Sequence, residues 1–530
     1  EIQEKIPEIK GRGWPRTSRE GIDRSLGIHA RRHVFGEPAA TCNPYGHDDG
    51  HGEPSTGFER IVRAAATTAG SFGATRRDYV PIGLEVGGVL ASIREGKPDG
   101  SDFLALGAYA AQCCTRLEEV KRILGPVFAV KTGDVKPDAN PGIPFTTLGC
   151  AKNSQVFSRH YDLLVEMICE QIVYMVVFGS EFPRMSSVDL IAYGCWDPVR
   201  LFVKNEPHSE AKLLEGRLRL IANVSLRTQL IERWLCGFQN DLEIAQWYNL
   251  PVAPGIGLDD DSLYLITAKL KSILSRRGEV AMTDVSGWDW SVKPWLLWAD
   301  AERRRIASGA PAGGIYAELL FARAYATGAS VYAMSDGSLV AQGSHGIQNS
   351  GSYCTSSTNS WMRVILYLVA RSLASGEMPQ ESWLEEVVAM GDDCVEAHVP
   401  GVLEQYRKMG FKCSLSATST SVKGVEFCSH KFDGQGLAEP TSWDKTLYRF
   451  FSGKPGAELV AQLAQLEFVL RHLPRRQELM TIARDYAGAV PANNHNGTPL
   501  SQQTGEPEFA EQSSGSAPVA AIERPSARGL

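Results

Sequence analysis

The rhythm of hydrophobic and polar positions changes several times along this chain. Residues 172–179, Ile-Val-Tyr-Met-Val-Val-Phe-Gly, are continuously apolar but too few to span a bilayer, with Glu166 and Glu170 just upstream; they predict a buried helix. Glu-Val-Ala-Met-Thr-Asp (279–284) reads as a strand ending on a carboxylate. Val-Ser-Gly-Trp-Asp then turns the chain and returns Asp289 ahead of a helix that follows Pro294. Residues 343–375 begin as a Gly/Ser/Asn loop and become an apolar helix from about Thr355. In residues 387–398, Val-Val-Ala-Met-Gly-Asp-Asp-Cys-Val-Glu-Ala-His, two short strand-like runs flank a Gly-Asp-Asp turn. Residues 399–417 read as helix then strand, 422–432 as a second hairpin turning at Phe427 and Cys428, and 442 to about 485 as helices. There is no internal repeat, and the mixture predicts an α+β fold.

Composition changes this picture mainly at the ends. Residues 1–58 are rich in Gly, Pro, His and charge and predict a poorly ordered arm; His47, Asp48, Asp49 and His51 read there as a solvated loop rather than a metal site. Residues 487–530 lack the large apolar side chains needed to offset ordering entropy and predict a disordered tail. The opening residues are mixed in charge without an apolar core, so no secretory signal is expected. With 530 residues, 43% of them hydrophobic, the chain can build two or three packed subdomains. A net charge of −7 gives no global nucleic-acid signature, so any such binding rests on local basic clusters. The 11 cysteines include no Cys-x-x-Cys pair, which argues for free thiols and against a structural zinc.

Two adjacent aspartates, Asp392 and Asp393, repel each other at a turn. An exposed hairpin tip is the plain reading; the sharper one is that they hold divalent cations, which requires a third carboxylate. Asp284 is the candidate, with Asp289 five residues later across the turn. Ser350, Thr355 and Asn359 sit at a helix entrance where N-capping by Ser350 or Ser352 is the ordinary explanation. The same hydroxyl and amide groups could read a ribose 2′-hydroxyl, with Gly351 letting the backbone pass close to a nucleotide. Upstream, residues 203–235 carry Lys204, Lys212, Arg217 and Arg219, either a solvated charged hairpin or the cations that a triphosphate beside carboxylates demands.

The order Asp-x4-Asp, Ser-Gly-x3-Thr-x3-Asn, Gly-Asp-Asp resembles that of RNA-dependent RNA polymerases of positive-strand RNA viruses. More narrowly, "DVSGWDWSV", "SGSYCTSSTNSWMRV" and "AMGDDCVE" resemble the sobemovirus and polerovirus polymerases, over roughly residues 140–470. The resemblance implies a right-hand architecture of fingers, palm and thumb with an antiparallel palm sheet flanked by helices. It places mainly fingers at 59–278 with a fingertip motif at 203–235, palm at 279–432 with a fingers insertion at about 305–345, and a small helical thumb at 433–486. It implies that Asp284, Asp392 and Asp393 hold two Mg²⁺ ions, Mn²⁺ substituting, with Asp284 and Asp392 on adjacent strands. It further implies that Asp289, Ser350, Gly351, Thr355 and Asn359 bind ribose, that the four basic residues bind triphosphate, and that Lys412 or Lys423 is the general acid. "NPGIPF" (140–145) resembles a template-guiding loop. The implied partners are template and product RNA, nucleoside triphosphates and, where initiation is protein-primed rather than de novo, a genome-linked protein as primer. The implied location is host cytoplasm, in membrane-associated complexes reached through other replication proteins. A two-metal phosphohydrolase needs neither the Ser/Thr/Asn entrance nor the basic segment, and a catalytically silent RNA-binding or capsid-like protein needs no three aspartates. A reverse transcriptase would place an aromatic residue where Asp289 stands.

Overall fold

The computed structural model describes residues 2–14, 56–70, 84–99 and 102–488. The histidine–aspartate cluster at 47–51 and the segment from 489 onward lie outside the described residues. The chain runs through β1 (Arg12–Gly13), α1 (Tyr161–Phe178), β2 (Val199–Val203), β3 (His208–Ser209), β4 (Leu220–Asn223), α2 (Leu226–Ala245) and α3 (Asp260–Arg277). It continues through β5 (Val280–Val285), α4 (Pro294–Ser308), α5 (Ile315–Gly328), β6 (Val331–Ala333), β7 (Leu339–Ala341) and α6 (Thr355–Ser375). Next come β8 (Val387–Met390), β9 (Asp393–Ala397), β10 (Cys413–Ser419), β11 (Glu426–Phe427), β12 (His430–Phe432), β13 (Ala438–Pro440), α7 (Trp443–Phe451) and α8 (Arg476–Gly488). Local chemistry sets several boundaries: the side chains of Ser225 and Asp259 cap α2 and α3, accepting from the N–H groups of Thr228 (3.1 Å) and Ser262 (2.8 Å). Gly278 (φ 79°) and Gly376 (φ 71°) end α3 and α6 in the left-handed conformation.

The central sheet is antiparallel, in the order β10-β5-β9-β8. Val280, Met282, Val388, Val395 and Ala397 face Leu263, Ile266, Leu270 and Ile273 of α3. Val387, Ala389 and Cys394 face the larger core that contains Trp361, Ile365 and Val369 of α6. Cover on both faces explains why these strands read as nearly continuous apolar runs. Every residue of α6 from Ser357 to Ser372 is buried, so its charged members need interior partners. Arg371 finds Glu386 at 2.7 Å, and Arg363 bonds Thr283 and Glu396 beneath the sheet.

A second sheet, ordered β4-β2-β6-β7, joins residues 199–223 to residues 331–341 through a parallel β2–β6 pair. The small β11-β12-β13 sheet turns at Cys428 (φ 50°) and Ser429 (φ 56°), one residue beyond the expected Phe427–Cys428 turn, because Phe427 still pairs with His430. The apolar run belongs to α1, as expected. Tyr161–Arg184 is long and apolar enough to cross a membrane by length and composition, with 61% of that window buried inside the fold.

Residues 2–14, expected to belong to a poorly ordered arm, instead form a strap. Ile6 and Ile9 are buried with Leu447, Phe450, Leu470 and Leu479 in the core of the C-terminal helices. Beyond them Arg12 pairs with Asp444 at 2.5 Å, Trp14 Nε1 donates to Ser452 Oγ at 3.1 Å, and β1 pairs antiparallel with β3. Ile2, Ile6 and Ile9 do recur at i, i+4 and i+7, but over a single short stretch interrupted by Pro7 and charged residues, which is why composition misjudged the segment.

Candidate active site

β5 and β9 are paired with Thr283 opposite Cys394, so the next step of the register sets Asp284 opposite Asp393. The alternation that turns Met282 and Val395 toward α3 puts both aspartates on that same face, where they remain in contact with solvent. Asp392 is not on the adjacent strand, as expected, but in the turn: Met390 pairs with Asp393, and Gly391 takes φ 64° as the first of two turn residues. The Gly391 N–H donates to Ser360 Oγ of α6 at 2.8 Å, which fixes the tip.

Loss of hydration, then the charges of Asp392, Asp284 and Glu426, push the Asp393 carboxyl up to about 7. Loss of hydration and Asp392 also raise Asp284, while Arg363 behind the sheet opposes the rise. Among the described residues no group of three or more His, Cys, Asp or Glu side chains is gathered tightly enough to hold a metal ion. The donors nevertheless fit one in kind. Carboxylate oxygens suit a hard cation such as Mg²⁺, and a cation between these aspartates would cancel the charge excess that raises Asp284 and Asp393.

A single helical turn, Trp288–Ser291, carries Asp289. Asn359 Nδ2 donates to its Oδ1 at 2.9 Å, and the Gln348 N–H donates to its backbone carbonyl at 2.8 Å. Burial, helped by the charge of Asp392, pushes the Asp289 carboxyl up to about 6, against the Asn359 hydrogen bond and the charge of Arg219. Ser350 Oγ accepts from the Ala222 N–H at 3.1 Å, and a Cβ on Gly351 would stand 2.2 Å from the Ala222 carbonyl oxygen, so glycine is required there. The Thr355 hydroxyl donates to the Asn349 and Ser352 carbonyls, which ties it to its own loop. Cys354, rather than Ser350 or Ser352, occupies the cap position of α6, without a side-chain bond. Asn359 Oδ1 and both amide atoms of Gln348 are buried without a protein partner, a rarity that marks a place where water or ligand completes the set.

The four basic residues divide. Lys204 pairs with Glu206 at 3.2 Å, Arg217 with Glu215 at 2.9 Å, and Lys212 and Arg219 are exposed. Lys445 of α7 reaches the same Glu206 at 3.2 Å. Lys412 immediately precedes β10, whose Ser414 lies opposite Asp284, so strand alternation sends Lys412 to the aspartate face. Lys423 lies beyond that strand, outside this register. Asn140–Gly142 of the "NPGIPF" segment lies against the β4–α2 junction, where the Leu226 N–H donates to the Pro141 carbonyl at 2.8 Å. A cavity of about 1390 Å³ lined by Phe182, Trp298, Phe321 and Tyr325 includes none of the aspartates.

Sequence reasoning missed the interior charges Arg363, Glu232 and Arg323. Their only local signal is a charged residue inside an otherwise buried helix, as in Trp-Met-Arg-Val-Ile-Leu at 361–366.

Comparison with known proteins places residues 180–443 in a match to a family described as viral RNA-directed RNA polymerase. The RNA-directed RNA polymerase of Mushroom bacilliform virus is 39% identical over 342 residues, covering 64% of this chain and 80% of that protein. The replicase polyprotein P2AB of Southern bean mosaic virus is 35% identical over 412 residues, 75% of this chain and 39% of that protein. Protein P1-P2 of Potato leafroll virus (strain Potato/Netherlands/Wageningen/1989) is 35% identical over 377 residues, 67% of this chain and 33% of that protein. The chain thus spans most of the first relative and about two fifths or less of the two longer ones.

Proposed function

This chain belongs to the family of viral RNA-directed RNA polymerases, and on that premise we propose that it joins nucleoside triphosphates onto an RNA 3′-hydroxyl under the direction of an RNA template. The observation that carries this reading is the register that sets Asp284 opposite Asp393 beside the Gly391-Asp392 turn. Asp284, Asp392 and Asp393 would hold two Mg²⁺ ions. Held there, they would supply positive charge where the attacking 3′-oxygen and the departing pyrophosphate gather negative charge.

The remaining work falls to the chain's own groups. Asp289 and Asn359, already hydrogen-bonded, orient one another to receive the 2′-hydroxyl, with Ser350 and Gly351 as the wall beside them. Thr355 holds that wall in shape through its own backbone bonds. Arg219 and Lys204 meet the triphosphate, Lys212 and Arg217 flank it, and Lys412 is better placed than Lys423 to give the leaving group a proton.

In right-hand terms the central antiparallel sheet with α6 is the palm, within 279–432, and α3 packs on it from the end of the preceding segment. Residues 59–278 with about 305–345 are fingers, a grouping supported by the β2–β6 pairing, and 433–486 with the strap form the thumb. Template and product RNA are the partners. A genome-linked protein as primer, and membrane complexes in the host cytoplasm reached through other replication proteins, extend the reading.

The test is incorporation of labelled ribonucleotides by purified protein on a heteropolymeric RNA, with and without primer, alongside Asp392→Ala. Template-dependent product from the wild type alone supports the reading. No product on any template, or equal product from the variant, rejects it.

A further inference from the structure

The glycine–serine loop leading into α6 is gripped from two sides by one continuous stretch of chain. β4 holds its start through the Ala222 N–H on Ser350 Oγ and the close approach of the Ala222 carbonyl to Gly351. α2, which follows β4 almost directly, holds its end. Glu232 of α2 is 1% exposed, and its carboxylate accepts from Ser352 Oγ (2.8 and 2.9 Å), from the Tyr353 N–H (2.8 Å) and from Arg323 Nε (2.9 Å). The adjacent Arg233 lies over the Tyr353 ring at 4.3 Å. Ser352 Oγ in turn accepts from the Cys354 N–H at 3.2 Å, so hydroxyl and carboxylate together replace the side-chain cap that α6 lacks.

A buried ion pair is a poor source of stability, since apolar residues of equal volume often serve as well. What a planar carboxylate supplies is direction. It engages a hydroxyl, a backbone N–H and a guanidinium at fixed angles, and it does so beside a loop of small residues that would otherwise sample many conformations.

We propose that Glu232, acting through Ser352, is a positioning residue for the sugar of the incoming nucleotide: it keeps the loop 349–355 in the conformation that sets Ser350 and Gly351 beside Asp289 and Asn359. This rests on the polymerase reading above. The carboxylate touches no substrate. Its effect is preorganisation, so its removal weakens nucleotide binding more than the chemical step.

The experiment compares full-length wild type, Glu232→Gln and Ser352→Ala. Ser352→Ala leaves the Glu232–Arg323 pair in place and so remains informative if Glu232→Gln does not fold. Ser352→Ala removes the bond of its hydroxyl to Glu232 together with those it accepts from the Cys354 N–H and from Arg323, and the KM for GTP rises about tenfold or more, with kcat within about twofold. The preference for GTP over dGTP falls with it, whereas RNA affinity by fluorescence anisotropy stays near wild type and Tm falls by at most a few degrees. A lowered Tm and kcat with unchanged KM would make the pair an ordinary packing element and overturn the proposal. Wild-type activity with an unchanged KM in Ser352→Ala overturns this inference alone, whereas a wild type that incorporates nothing overturns the polymerase reading and this inference with it.

Discussion

Replacing Asn359 with alanine removes the 2.9 Å hydrogen bond to Asp289 while leaving α6 its helix propensity, because alanine is the best helix former. The Asp289 carboxyl sits at about 6, so near pH 7.5 it is mostly ionised and the bond lost is one to a charged acceptor. Such bonds contribute about 1.5–3 kcal/mol. That bond is lost whichever nucleotide is present; what separates the two sugars is a further bond of comparable size, from the 2′-hydroxyl to the buried, otherwise unpartnered Asn359 Oδ1, which is lost for ribonucleotides and not for 2′-deoxyribonucleotides, which never made the contact. The expected change is a roughly 10- to 150-fold fall in the ratio of kcat/KM for GTP to that for dGTP opposite a template cytosine. Asp284, Asp392 and Asp393 are untouched, so slow synthesis persists. Tm should fall by only a few degrees, as expected for a small interior deletion in a chain of this size. If both efficiencies fall together at constant ratio, Asn359 is a structural helix residue and the account of sugar selection is wrong.

Protonating Asp289 should mimic part of that loss: the GTP/dGTP preference falls as pH drops through about 6, and a preference that holds or grows on acidification refutes the role. The linked stability runs the other way, because a carboxyl raised above its unfolded value of 3.8 holds more protons when folded; its contribution favours the fold at low pH and is lost as pH rises through about 6. Asp392→Ala abolishes incorporation while Tm holds or rises slightly, since a repelling charge leaves an exposed turn; residual activity above a small fraction of wild type contradicts the assignment. Ile6→Asp forces a carboxylate into a fully buried site and should lower Tm by several degrees, measured by circular dichroism; an unchanged Tm means the strap does not hold.

Features carried by local chemistry could be read from the sequence. The Gly391-Asp392 turn, the strand ending near Asp284 and the helix from Thr355 each announce themselves within a dozen residues, through turn chemistry or periodicity. What could not be read depends on partners far apart in the chain. That Asp393 rather than Asp392 faces Asp284 is a matter of register, which a single residue of slip would reverse. Thr355 stands in the pattern of a nucleotide ligand, and only the loop's closure shows that its hydroxyl also donates to the backbone carbonyls of Asn349 and Ser352. Glu232 meets Ser352 across 120 residues, and neither side chain carries a sign of the other.

The strap also has a topological consequence. With β1 hydrogen-bonded to β3 on one side and Arg12 locked to Asp444 on the other, the polypeptide closes a loop between the basic segment and the C-terminal helices, doubled by the Lys204–Glu206–Lys445 bridge. Moving the C-terminal helices away from the basic segment therefore breaks a strand pairing and two sets of ion pairs at once, which couples the position of the one to that of the other.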